Sequence, residues 1–192
     1  MEQNKKKIDW IQLASFALIV LLTVETGLLI RENKKLKATL AQLAPAPLNP
    51  GERVEPFKIE SLDGIVSDFT YSDPHKKYLL FVFSTSCSHC ENTIVYWQHI
   101  AAINTDGRCS ILGVSLDTPE ETKKYAAAKK LTFSVVADAD TNFERKYKLA
   151  GVPSTILVRG DGVVERSWYG ELSAAQSDDI EHLMNVRSEF TN

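Results

Sequence analysis

Two cysteines separated by two residues, Cys87 and Cys90, are the part of this 192-residue chain whose types and spacing point most directly to chemistry. A thiol pair at that spacing can pass between dithiol and disulfide and exchange two electrons with another thiol pair. The thiolate is the reactive species, so the chemistry depends on what lowers one thiol's pKa. Ser88 and His89 stand between the two. A protonated imidazole at His89 stabilises a neighbouring thiolate, and stabilising the reduced form makes the disulfide a stronger oxidant. Competing readings are a structural disulfide, half of a zinc site and, for His89, a solvated loop residue. A zinc site needs about four ligands, and the sequence holds no second Cys-x-x-Cys and no His-x-x-x-His. No metal and no cofactor is expected.

The elements around the pair decide which sulfur attacks. An apolar run, Leu79 to Phe83, reads as a buried strand and stops at a Ser/Thr turn. Ser88 to about Asn104 then carries helical apolar spacing. Cys87 is placed at the N-terminus of that helix, where unpaired N–H groups and the positive dipole end favour a thiolate. Cys87 is therefore the expected nucleophile, and Cys90, one turn on, the resolving thiol. Glu91, on the same helix, points elsewhere.

The whole chain bounds the context. It is 44 % hydrophobic and 24 % charged, which suits a folded domain of ordinary size with an appendage. The formal net charge of −3 divides unevenly. Residues 1–37 hold seven Lys/Arg against four Asp/Glu, and the remainder is acidic. No basic face for nucleic acid is expected. Three cysteines are too few for a disulfide-stapled scaffold. Cys109, the odd one, falls on an expected buried strand and reads as core. His75, His99 and His182 lack ligand-like spacing, and Trp97, Trp168 and Tyr169 read as packing residues.

At the N-terminus, Lys5, Lys6 and Lys7 precede an apolar segment from Ile8 to Ile30 that Arg31 closes. About twenty apolar residues cross a bilayer, so residues 8–30 are expected to be a single membrane anchor. The lysines place the N-terminus in the cytoplasm, which predicts a single pass through the inner (cytoplasmic) membrane and an extracytoplasmic, periplasmic C-terminal domain. A cleaved signal peptide is the competitor, but its apolar part is about 7–15 residues. The nearest small-residue site, Ala44-Pro45-Ala46, lies well past the apolar end. Glu25 within the segment is costly in hydrocarbon and marks either the outer interface or a membrane partner. Three parts follow: a tip and anchor over 1–31, a helical stalk and Pro-rich linker over 32–50, and a domain over 51–192.

Within the domain, Phe57 to Ile59 and Ile65 to Phe69 flank a Leu62-Asp63-Gly64 turn as a hairpin. Cys109 to Leu116 is a second buried strand. Thr118-Pro119-Glu120-Glu121 opens a helix with a cap, an N1 proline and first-turn acids. Phe133 to Ala137 is a short strand and Asn142 to Leu149 a short helix. Strands Ser154 to Val158 and Val163 to Trp168 turn at Arg159–Gly162, and a helix from Ser173 to about Val186 ends the chain. This is an α/β fold with a mixed central sheet and flanking helices. Gly151-Val152-Pro153-Ser154-Thr155 lies about 63 residues after Cys90 and leads into a strand, where a proline is restricted to special positions.

Strand, Cys-x-x-Cys, helix, alternating elements, Val-Pro-Ser-Thr and a final hairpin and helix together resemble the thioredoxin fold. The leading hairpin and the helix and strand inserted between Cys90 and Pro153 resemble the TlpA/ResA-type branch of membrane-anchored thiol–disulfide oxidoreductases. The resemblance covers about residues 51–190. It implies that Pro153 is cis and lies beside the dithiol, and that the Val152 backbone pairs strand-like with a substrate segment. It also implies protein dithiol or disulfide substrates, an apocytochrome of cytochrome c maturation or a copper-site protein among them, and a separate redox partner protein.

The chain departs from that pattern at several positions. Ser86 stands where a Trp is usual, His89 where many members have Pro, and Thr93 where reductive members place Glu. Phe81 replaces the buried acid of typical thioredoxins. Cys-Ser-His-Cys resembles oxidising relatives more than reductants, so the direction of electron flow stays open. Two other functions stay in view. A peroxiredoxin-like peroxidase would have Pro and Thr where Leu80 and Ser84 stand. A copper carrier of the same fold would have Cys-x-x-x-Cys and a distal histidine, for which His182 is the candidate.

Overall fold

The computed structural model describes residues 10–43, 48–105, 107 and 109–185. Expectations that fall on Lys5–Lys7, on Ile8 and Asp9, on Ala44–Pro45–Ala46 and on Val186 lie outside the described residues. The chain divides into two units, residues 1–44 and 45–192.

The described residues of the first unit form one helix, α1 (Trp10–Leu43). Its segment Trp10–Leu36 is long and apolar enough to cross a membrane. At 1.5 Å per residue it measures about 40 Å, against about 30 Å of hydrocarbon. Phe16 and Leu29 are about 70 % exposed. The hydroxyls of Thr23 and Thr26 donate to the carbonyls of Val20 and Leu22, so both are satisfied within the helix.

The second unit runs β1 (Phe57–Glu60), β2 (Val66–Phe69), β3 (Lys77–Phe83), α2 (Ser88–Ile103), β4 (Cys109–Ser115), α3 (Pro119–Lys129), β5 (Ser134–Asp138), α4 (Phe143–Lys146), β6 (Ser154–Arg159), β7 (Val164–Tyr169) and α5 (Ala174–Asn185). The seven strands form one mixed sheet in the order β2-β1-β5-β4-β3-β6-β7. Strands β3, β4 and β5 are mutually parallel, and β6 runs antiparallel to β3. The expected leading hairpin forms β1 and β2 and caps the sheet edge beyond β5.

Every residue of β3 is buried, as a central strand covered on both faces must be. Its side chains alternate between two cores. Leu80 and Val82 join Val114, Ile156, Phe143 and Tyr147 on one face. Leu79, Phe81 and Phe83 join Ile94, Trp97, Ile100 and Ile180 on the other, against α2 and α5. Leu48, in the proline-rich stretch, is also buried, its N–H donating to Tyr169 Oη.

Two elements differ from the sequence expectation by more than one residue at an end. β3 begins at Lys77, two residues before the apolar run, because that lysine is paired rather than solvated. Its Nζ donates to Glu165 Oε1 at 2.9 Å and to the Leu183 carbonyl at 2.6 Å. α4 ends at Lys146, because Lys148 adopts a left-handed φ of 46°; Tyr147 and Leu149 are buried all the same. The turn between β6 and β7 needs glycine at Gly160, where a Cβ would lie 1.8 Å from the Asp73 carbonyl oxygen.

Candidate active site

The site is assembled at the end of β3. Phe83 closes the strand, residues 84–86 turn, and Cys87 is the N-cap of α2 with extended φ and ψ of −87° and 110°. An N-cap side chain normally accepts a hydrogen bond from a first-turn N–H; here a sulfur does so. Cys90 N–H donates to Cys87 Sγ at 3.2 Å. The Cys87 thiol in turn donates to the Val152 carbonyl at 3.6 Å. That contact sets the loop entering β6 against the first cysteine, and the Val152–Pro153 bond within it is cis. Cys87, Cys90, Val152 and Pro153 are thus brought together from two separate stretches of chain.

The two sulfurs are unlike. Cys87 is half-buried and Cys90 fully buried, and both are thiols. Desolvation pushes the Cys90 thiol up to about 12; its hydrogen bond with Cys87 and the charges of Cys87 and Asp117 act the same way, while a backbone hydrogen bond at Ser84 opposes them. One sulfur is reachable from solvent at a helix N-terminus, and the other is held protonated behind it. That asymmetry suits a nucleophile and a resolving thiol.

His89 projects outward, and its Nδ1 lies 2.5 Å from Glu171 Oε1. Asn92 Nδ2 donates to the same oxygen at 3.0 Å. His89 and Asn92 hold the Glu171 carboxyl below the usual carboxylate range. The same loop is fixed on either side of Glu171. Gly170 N–H donates to the Pro153 carbonyl at 2.8 Å, and Leu172 N–H donates to Thr93 Oγ1 at 3.3 Å. Residues 170–172 therefore tie the Pro153 loop to the first turns of α2.

Sequence reasoning missed three residues of this site. Asp117, just before the α3 cap, accepts from Thr85 N–H at 2.5 Å and from Ser84 Oγ at 3.4 Å, and so braces the turn before Cys87. Glu171 carries no local signal, since only the fold brings it to His89. Tyr125 was legible in part: with Thr122 it forms the buried stripe of α3 in an otherwise charged helix. The remaining expectations land outside the site. Glu91 pairs with Lys129 at 2.7 Å, and His99 pairs with Glu181 at 3.2 Å on the surface. Phe81 stacks on Trp97 with ring centroids 4.9 Å apart. Cys109 is buried at the start of β4. Among the described residues, no group of three or more His, Cys, Asp or Glu could hold a metal ion.

Comparison with known proteins follows the same lines. The model of the AhpC/TSA family matches residues 50–167. Over 124 residues the chain is 21 % identical to sporulation thiol-disulfide oxidoreductase A of Bacillus subtilis, covering 62 % of this chain and 74 % of that one. It is 25 % identical over 138 residues to the thiol-disulfide oxidoreductase ResA of Geobacillus thermodenitrificans, covering 71 % and 78 %. The solution structure of a thiol:disulfide interchange protein from Bacteroides sp. superposes with a TM-score of 0.62 at 22 % identity, over 74 % of this chain and 94 % of that one. The fold is thioredoxin-like, as the order of elements implied.

Proposed function

This chain belongs to the AhpC/TSA family, and from that we propose that it is a membrane-anchored thiol–disulfide oxidoreductase acting on protein dithiols or disulfides outside the cytoplasm. Residues 1–31 form the tip and anchor, 32–50 the stalk and linker, and 51–192 the redox domain. The observation that carries the reading is the sulfur N-cap. Cys87 sits half-exposed at the start of α2 against Val152, with the protonated Cys90 behind it. The names of the relatives from Bacillus and Geobacillus support the same chemistry.

Reduction of a substrate disulfide runs in two balanced steps. The Cys87 thiolate attacks one substrate sulfur, forming a mixed disulfide and releasing the other sulfur as a thiolate that takes up a proton. Cys90 then loses its proton and attacks Cys87 Sγ. The Cys87–Cys90 disulfide forms and the second substrate sulfur leaves, so two electrons pass to the substrate. Oxidation of a substrate dithiol is the reverse. Val152 and Pro153 present the substrate segment, and His89 weights the balance between the two directions.

Trapping tests this reading. A Cys90→Ala variant of the full chain, expressed in its native membrane, should accumulate mixed disulfides that vanish on reduction, while Cys87→Ala should accumulate none. Accumulation with Cys87→Ala alone would reverse the two roles. Peroxide consumption separates the peroxidase reading: turnover of peroxide without a protein disulfide would favour it.

A further inference from the structure

Beyond the loop of residues 170–172, a groove of about 430 Å³ runs between α2 and α5. It exists because α5 presents small residues there. Ala174 and Ser177 leave space against Val95 and Tyr96 of α2, which line the opposite wall. Val95 is 66 % exposed, and Ile103, two turns on along the same face, is 40 % exposed. The core face of α2 is already supplied by Ile94, Trp97 and Ile100, so this second apolar strip is not needed for folding. The rim of the groove is acidic. Asp178 lines it and has no ion pair among the described residues. Glu181 meets His99 at 3.2 Å, and Glu171 meets His89 at the end nearest the dithiol. Asp179, the next residue of α5, is neutralised by Arg166 at 2.8 Å. Among the described residues, no Lys or Arg lines the groove.

We propose that this groove docks an extended segment of the substrate protein, carrying an apolar side chain and a nearby lysine or arginine, while the segment's sulfur reacts at Cys87. This rests on the thiol–disulfide reading of Cys87 and Cys90. The groove is continuous with that site. Gly170 N–H is held by the Pro153 carbonyl and Leu172 N–H by Thr93, so the loop between them joins the Val152–Pro153 edge to α2 as one platform. Gly170 and Glu171 are exposed along that path. Val95 lies eight residues beyond Cys87, about 12 Å along the helix, a span that extended chain covers in about four residues. An apolar side chain at that distance seats on Val95 and Tyr96, and a cation two residues further meets Asp178 and Glu181. Asp178 gives up no partner among the described residues to make that pair. Opposite charge on the segment also speeds its encounter with the rim. A second copy of this chain fits less well, because a twofold contact through this face sets an acidic rim against itself.

Synthetic peptides test the docking. Each carries one cysteine as a mixed disulfide with an acidic aromatic thiol, whose release is favoured and coloured. A leucine stands about four residues from the cysteine, with either Lys or Glu two residues further, in both chain directions. Mixing with the reduced full-length protein in detergent gives a limiting rate and a half-saturating concentration. In the better direction, the lysine peptide should half-saturate at about tenfold lower concentration than its glutamate counterpart, at the same limiting rate. That advantage should shrink as salt rises. Asp178→Lys should abolish it, and Val95→Ser should raise half-saturation about threefold for the lysine peptide. The aromatic disulfide without peptide should react with all three proteins at rates within twofold, because both side chains are exposed and outside the dithiol machinery. Lysine and glutamate peptides that agree within twofold in both directions, or an advantage that survives Asp178→Lys, would overturn the proposal. So would a dimer in sedimentation that Asp178→Lys dissociates, which would give the face to a second copy. Wild-type protein inert even to the free aromatic disulfide would instead overturn the oxidoreductase reading, and the docking with it.

Discussion

His89 and Glu171 meet across the mouth of the dithiol, Nδ1 to Oε1 at 2.5 Å, although 81 residues of chain lie between them. The pair is exposed, with side chains 72 % and 41 % accessible, so its electrostatic effect is screened by solvent and salt. Its geometric effect is not. It fixes the imidazole on the loop that also holds the Pro153 carbonyl and Thr93.

Replacing His89 by Ala removes a cationic neighbour of the Cys87 thiolate whenever that ring is protonated. The reduction potential is expected to fall by about 10–20 mV, a fraction of the ~30 mV that corresponds to 1.4 kcal/mol in this couple. Glu171→Gln, which loosens the ring without deleting it, should move the potential less. Equilibration with glutathione at low and high salt checks both, and the His89→Ala difference should shrink as salt rises.

Alkylation should distinguish the sulfurs by pH. Burial pushes Cys90 up to about 12, so brief treatment of the reduced protein with iodoacetamide at pH 7 should label Cys87 and spare Cys90. Peptide mass spectrometry gives the site directly. Equal labelling of both would mean that the asymmetry is absent.

Much of this arrangement was legible in the sequence because it follows from local pattern. The apolar run of β3, the cysteine at a helix start and the capping box of Thr118 and Glu121 are all short-range signals, and the structure shows each element. What sequence could not supply depends on distant segments meeting. Lys77 reads as a surface charge until Glu165, 88 residues away, and the Leu183 carbonyl satisfy it. Asp117 reads as a turn residue until its carboxylate takes the Thr85 N–H. Glu171 reads as an ordinary loop acid. Each belongs to the site or the core through tertiary contact alone.

Asp138 gives the fold a pH dependence of its own. Burial first, then the charges of Asp140 and Glu144, raises its carboxyl to about 6, against an opposing hydrogen bond from Asp140 N–H. The folded value lies above the unfolded one of about 3.9, so the fold favours the neutral acid. Its cost is absent at low pH, grows as pH rises through the interval and is complete above about 6. Because the carboxyl is only partly buried, Asp138→Asn should stabilise the domain by only about 1 kcal/mol at pH 7. The gain should disappear below about pH 4, as thermal melts at both pH values will show.

Trp97 Nε1 donates to Thr155 Oγ1 at 2.9 Å inside the core beneath α2. Thr155→Val keeps the shape and strands the indole N–H, at a cost of about 1–3 kcal/mol. Denaturant titration read by tryptophan fluorescence should show a lower midpoint with an unchanged slope.

The central claim is that Cys87 and Cys90 form one reversible two-electron couple. A redox titration of the full-length protein, with disulfide counted by mass spectrometry at each potential, tests it most directly. The account predicts a single two-electron transition linking these two cysteines. A midpoint at about −120 to −180 mV would identify an oxidant or isomerase, and one below about −250 mV a reductant. A chain that never joins Cys87 to Cys90, or that joins either of them to Cys109 instead, would contradict it.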